Sequence, residues 1–207
     1  MIAPNPSPHD PRPRLEDRLS GAASSARIFD GFLAVCRERP GATAVVHAGG
    51  AWTYQQLERA SRALGARLLA RPVGNAIVAL YAKRSPELVI GMLACLRAGL
   101  TFAVLDAAYP PERLEQLLAV ARPGRLVAFT PTTDDEQVLA RLRLPDVVLR
   151  LEDADIAALL RSDALDGEGL DEASPAVIAY LLFTSGTTGV PKCIKTAHHP
   201  LVHFIAW

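Results

Sequence analysis

The chain has 207 residues, half of them apolar, enough for a sizeable core in one large domain or one and a half small ones. Its 22 acidic and 22 basic residues balance, so no chain-wide field gathers nucleic acid, an anionic membrane or a strongly charged protein, and any binding must be local. Cys36, Cys95 and Cys193 are odd in number, far apart and without CxxC or Cys/His spacing. That argues against a disulfide framework or a zinc site and for a reducing, cytoplasmic compartment.

The segment from Met1 to about Ser24 is rich in Pro, Arg and Ser and lacks the apolar stretch of a signal peptide. It reads as a disordered lead-in at 1–24, and no later run approaches transmembrane length. From Ile28 onward, short continuous apolar runs alternate with helically spaced ones, the pattern of strands alternating with helices. The expected fold class is α/β, a mostly parallel sheet flanked by helices.

A first helix places Ile28, Phe29, Phe32, Leu33 and Cys36 on one face and stops before Pro40. Thr43–His47 reads as a strand, 48–50 as a turn, and Trp52–Tyr54 as a short strand. The next helix repeats Leu57, Ala60, Leu64 and Leu68, with Glu58, Arg59 and Arg62 expected to face water, and Pro72 and Gly74 end it. Ala76–Tyr81 reads as a buried strand. Ser85, Pro86 and Glu87 then read as N-cap, first-turn proline and first-turn acid of a helix closed by Gly99.

Strands are expected near Thr101–Leu105, Arg125–Phe129 and Val147–Leu151, and helices near Pro111–Ala121, Asp134–Leu142 and Ala154–Arg161. The acidic, Gly-containing stretch Ser162–Ser174 is a loop leading into the apolar strand Ala176–Phe183. After Lys192, Leu201, Phe204 and Ile205 fall at helical spacing, and the sequence stops within that element. The expectation is a C-terminally truncated unit.

Between that apolar strand and Pro191 lie Thr184, Ser185, Gly186, Thr187, Thr188 and Gly189. They offer four hydroxyls and two residues that let a ligand approach the backbone, so the loop can wrap phosphate oxygens. Lys192 adds a mobile point charge suited to phosphate, and lysine occurs in this chain only at 83, 192 and 195. The spacing is not a Walker A loop, because the two glycines are three apart and Cys193 follows the lysine. On composition alone the run could also be a plain polar connection.

Ala179–Phe183 followed by Thr184-Ser185-Gly186-Thr187-Thr188-Gly189-Val190-Pro191-Lys192 resembles the signature loop of the adenylate-forming (AMP-binding) superfamily. That superfamily includes acyl-CoA synthetases, luciferases and the adenylation domains of nonribosomal peptide synthetases. Trp52-Thr53-Tyr54-Gln55-Gln56-Leu57 resembles the first core motif of the peptide-synthetase branch. Leu96-Arg97-Ala98-Gly99 to Leu105-Asp106, then Tyr109-Pro110-Pro111-Glu112-Arg113-Leu114, resembles the second. In these two motifs Trp52, Tyr54 and Leu57 are expected to pack the core, Gly99 to cap a helix, and Arg113 to pair with a nearby carboxylate. Two positions depart from the family pattern: Cys193 stands where Gly is usual, and Val104 where Pro is usual. If 193 needs positive φ, its side chain would crowd the return strand.

The resemblance implies an incomplete N-terminal part of an adenylate-forming fold, here an adenylation domain at 25–207. It implies activation of a carboxylic acid, in this branch an amino acid for nonribosomal peptide synthesis, with ATP and Mg2+. A carrier-protein or CoA thiol would accept the acyl group. Thr184, Ser185, Thr187, Thr188 and Lys192 would hold the outer phosphates, with Gly186 and Gly189 permitting close approach. No catalytic residue is assigned, and the chain alone is expected to be inactive. An acyl-CoA or aryl-acid ligase fragment and a non-catalytic α/β interaction module are the alternatives. His199 and His203 are four apart, but no HExxH arrangement accompanies them, so no metal site is expected, and His198, His199 and His203 default to solvent-facing or substrate-edge positions.

Overall fold

A computed structural model describes residues 27–71, 75–162, 177–184 and 191–205. The lead-in at 1–24, Pro72 and Gly74, and most of the acidic 162–174 stretch lie outside the described residues. The chain runs through α1 (Ile28–Glu38), the hairpin β1 (Thr43–His47) and β2 (Gly50–Thr53), and α2 (Tyr54–Leu69). It continues through β3 (Ile77–Ala82), α3 (Glu87–Arg97), β4 (Thr101–Asp106), α4 (Pro111–Ala121) and β5 (Arg125–Phe129). Next come α5 (Thr133–Leu139), β6 (Val147–Leu151), α6 (Asp153–Arg161), β7 (Ile178–Thr184), β8 (Lys192–Ala197) and α7 (His198–Ile205).

Six strands form one sheet in the order β6-β5-β3-β4-β7-β8, parallel throughout except that β8 returns antiparallel to β7. This is the expected mostly parallel sheet flanked by helices. The return strand expected at residue 193 is β8, although Lys192–Ala197 is exposed or half-buried and carries only a weak apolar pattern, so its limits were not legible. Both faces of the central strands are covered. On one side Leu64, Ala94 and Leu159 of α2, α3 and α6 pack with Val78, Leu80 and Val127. On the other, Leu114 and Leu117 of α4 and Leu139 of α5 pack with Ala79, Tyr81 and Leu126. Central strands buried on both faces explain their near-continuous apolar sequence.

The two early motifs are structural joints. Thr53 ends β2 and caps α2: its hydroxyl accepts from Gln56 N at 3.2 Å, and Gln56 Oε1 accepts from Thr53 N at 2.9 Å. Tyr54 N and Gln55 N donate to the carbonyls of Ala42 and Pro40, so the first amides of α2 are all satisfied. The short strand therefore stops at Thr53, with Tyr54 already helical. Trp52 and Leu57 are buried and Tyr54 is half-buried, its ring 6.0 Å from Phe32. Gly99 takes φ +67° and ends α3, with Leu100 N donating to Cys95 O and Gly99 N to Leu96 O. That bonding pattern satisfies carbonyls of the last turn and needs the left-handed residue that glycine supplies most readily.

Three expectations are corrected. Ser85 does not cap α3: Pro86 is the N-cap residue, and among the described residues no side chain caps the first amides and the buried Ser85 hydroxyl has no hydrogen-bond partner. Glu58 and Arg62 do not simply face water. Glu58 Oε1 accepts from Arg62 Nη2 at 2.6 Å and from Arg97 Nη1 at 2.8 Å, and Arg97 is 1% exposed with Phe29 beneath its guanidinium. A charge this deep requires a partner, and α2 presents one because α3 packs on the same stripe. Arg113 donates to the Gln116 amide at 3.3 Å rather than to a carboxylate.

Candidate functional site

β7 and β8 form the stem of the hydroxyl-rich loop. In the antiparallel register Thr184 faces Lys192, Phe183 faces Cys193, and Leu182 faces Ile194. Ala179 and Leu181 are buried, and Thr101 on β4 donates its hydroxyl to Ile178 O at 2.6 Å, tying the strand to the sheet. Thr184 and Lys192 are both exposed at the mouth of the hairpin. The structure thus brings the two ends of the predicted site together. Ser185, Gly186, Thr187, Thr188 and Gly189 lie outside the described residues.

Side chains alternate across a sheet, so the Thr184–Lys192 pair shares a face with Leu182 and Ile194, which are 49% and 48% exposed. Cys193 lies on the opposite face, half-buried against the cluster of Ala103, Ala121 and Leu181. Its φ is not positive, so the feared clash at 193 does not arise: the residue is ordinary extended backbone.

The loop stem lies at the carboxyl edge of the parallel strands, the edge at which open α/β sheets bind ligands. α3, α4, α5 and α6 each follow a parallel strand and begin there, turning the positive ends of their backbone dipoles toward it. Sequence reasoning missed a polar cluster at the same edge. Asp135 accepts from Tyr81 Oη at 3.0 Å and from the Thr132 hydroxyl and amide at 2.6 and 2.9 Å, with Lys83 Nζ 3.8 Å away. Burial pushes the Asp135 carboxyl up, but the Thr132 and Tyr81 hydrogen bonds and the Lys83 charge outweigh it and hold the group below its usual range. Burial, with the Asp135 hydrogen bond and charge, pushes the Tyr81 phenol up. The signal was present as Thr132 followed three residues later by Asp135, but nothing in sequence announced that Tyr81 would reach them.

His198 is buried rather than solvent-facing, and its Nδ1 accepts from Ile28 N at 3.4 Å, joining α7 to the start of α1. The side chains of His199 and His203 lie outside the described residues. Among the described residues no group of three or more His, Cys, Asp or Glu side chains could hold a metal. The exposed hydroxyl and ammonium at the loop stem suit phosphate oxygens. Among the described residues no helix is long and apolar enough to cross a membrane.

Residues 32–207 match the family model for AMP-binding enzymes. The chain is 30% identical over 209 residues to the L-2-aminoadipate reductase large subunit of Penicillium chrysogenum, covering 87% of this chain and 15% of that protein. It is 33% identical over 172 residues to tyrocidine synthase 3 of Brevibacillus parabrevis, covering 81% of this chain and 2% of that protein. Among solved structures, VinN in complex with 3-methylaspartate superposes with a TM-score of 0.66 at 25% identity, over 86% of this chain and 49% of that one. The chain therefore corresponds to a small part of the curated relatives and about half of the solved one. With that match spanning the α/β body and the loop stem together, the chain belongs to the AMP-binding enzyme family.

Proposed function

We propose that this chain supplies the phosphate-gripping part of an adenylation domain that activates an amino acid with ATP, as in nonribosomal peptide synthesis. The observation that carries the reading is the exposed Thr184–Lys192 pair at the mouth of the β7–β8 hairpin, on the carboxyl edge of a parallel sheet. In the overall reaction a substrate carboxylate oxygen attacks the α-phosphorus of ATP, the bond to the bridging oxygen breaks, and pyrophosphate leaves with its electron pair.

The contribution of this chain is positioning and charge stabilisation. Lys192 places an ammonium against the outer phosphates, where negative charge accumulates as pyrophosphate departs. Thr184, together with Ser185, Thr187 and Thr188, donates hydroxyl hydrogen bonds to the same oxygens, and Gly186 and Gly189 let backbone amides approach. Mg2+ would arrive with the nucleotide and neutralise part of its charge. The acceptor is a carrier-protein thiol, and the free thiols of Cys36, Cys95 and Cys193 fit a reducing cytoplasm. The names of the relatives favour an amino acid over a fatty or aryl acid.

The fold of a solved relative is about twice as long, and this chain alone is expected to bind MgATP without forming an adenylate. Calorimetric titration with MgATP should show binding that Lys192→Ala weakens by about tenfold or more, the scale of one charge-assisted contact. Binding indifferent to Lys192→Ala would remove the loop from the mechanism. Robust ATP–pyrophosphate exchange by the 207-residue chain, across a panel of amino and aryl acids, would remove the division of labour.

A further inference from the structure

A cleft of about 250 Å3 opens between α1 and α2, remote in sequence from the β7–β8 hairpin. Leu33, Cys36 and Arg37 line one side, and Gln55, Glu58 and Arg62 the other. The negative charge of Glu58 is already engaged, since one of its oxygens accepts from both Arg62 and Arg97. Arg37 is exposed at the end of α1 and makes no ion pair among the described residues. The cleft thus gathers three guanidinium groups, two lining it and one behind, around one carboxylate. Its floor is not a hydrated ionic surface: Leu33 and Cys36 are buried, and the thiol donates to Tyr54 O at 3.6 Å.

We infer that this cleft binds a small organic carboxylate, its two oxygens taken by the Arg37 fork and its short hydrocarbon end laid against Leu33, with Arg62, already paired with Glu58, adding positive charge beside it. Guanidinium forks match the planar, two-oxygen geometry of a carboxylate, and an apolar wall beside them favours an organic acid over inorganic phosphate. The volume lies below the 300–1,000 Å3 or so of pockets for drug-sized ligands, so a ligand of a few carbons fits. Burial, and secondarily the Glu58 charge, push the Cys36 thiol up to about 11, so the sulfur adds no competing anion.

The test is an amide 1H–15N titration of the full chain with sodium propionate against sodium chloride at constant ionic strength, with inorganic phosphate as a second probe. Saturable shifts confined to residues 33–37 and 55–62, about tenfold weaker in affinity in Arg37→Gln, are expected. Arg37 is exposed and makes no ion pair among the described residues, so this variant keeps the fold, which an unchanged unfolding transition verifies. Shifts reproduced by chloride, or undiminished in Arg37→Gln, overturn the site. Phosphate binding as tightly as propionate overturns the assignment to an organic acid. In Lys192→Ala the propionate response stays unchanged, which keeps the outcome separate from that of the phosphate loop.

Discussion

Nη1 of Arg97 lies 2.8 Å from Oε1 of Glu58 and 3.1 Å from the Glu58 carbonyl. The bond joins two stretches that are far apart in sequence: Arg97 belongs to the Leu-Arg-Ala-Gly motif closing α3, and Glu58 directly follows the Trp-Thr-Tyr-Gln-Gln-Leu motif opening α2. Phe29 of α1 stacks under the same guanidinium at 5.4 Å. Three helices on one face of the sheet therefore share a single buried cation.

Removing that cation should be costly. Arg97→Met leaves the Glu58 carboxylate largely buried with Arg62 alone, and the expected loss is about 3 kcal/mol in denaturant unfolding, the scale for breaking a buried ion pair. In a double-mutant cycle with Glu58→Gln, a coupling energy of about 1 kcal/mol or more is expected. Additive effects would show that the pair is incidental to how the helices pack.

Acid should weaken the fold through two carboxylates. Burial raises Glu58, but the Arg97 and Arg62 hydrogen bonds prevail and leave it below its ordinary value, as Thr132, Tyr81 and Lys83 do for Asp135. A carboxylate depressed in the folded state binds its proton more readily when unfolded. Its stabilisation is complete above the unfolded value of about 4 and is lost as pH falls through the lower folded value. Unfolding free energy should therefore be flat from neutrality to about pH 5 and fall below about pH 4. Glu58→Gln combined with Asp135→Asn should flatten that fall; an equally steep decline in the double variant would assign it to other groups.

Gly91 lets α3 pack closely against β3 and β5. A Cβ there would stand 2.7 Å from Phe129 Cζ and 3.1 Å from Leu80 Cδ2, both on buried side chains. Gly91→Ala gains up to about 1 kcal/mol of helix propensity and loses about 1–3 kcal/mol to overpacking. The expected result is a net loss of about 1 kcal/mol, read as a lower melting temperature, and a stabilised variant would mean the helix can lift away freely.

Cys193→Gly restores the residue usual in the family, yet it should not stabilise this chain. Residue 193 is extended in β8, opposite Phe183. Glycine in a strand gives up side-chain packing and backbone entropy, for an expected loss of about 0.5–1 kcal/mol. A gain in stability would show that the loop draws this position toward a conformation only glycine holds easily.

The sequence by itself determined the alternation of elements and most of their limits. Apolar runs marked β3, β5 and β6, helical spacing marked α1, α2 and α4, and Gly99 marked the end of α3, because these signals act within a few residues of chain. It also determined the family through the loop motif, whose stem residues Thr184 and Lys192 stand paired and exposed. Tertiary structure alone decided the rest. The strand order brings β7 beside β4, with β8 returning along it, and no local pattern encodes which strand becomes whose neighbour. Burial of Glu58 and Arg97 was illegible for the same reason: a charged residue on a helix reads as solvated until a second helix places the opposite charge over it. Ser85 shows the converse, a cap by composition whose buried hydroxyl finds no partner among the described residues.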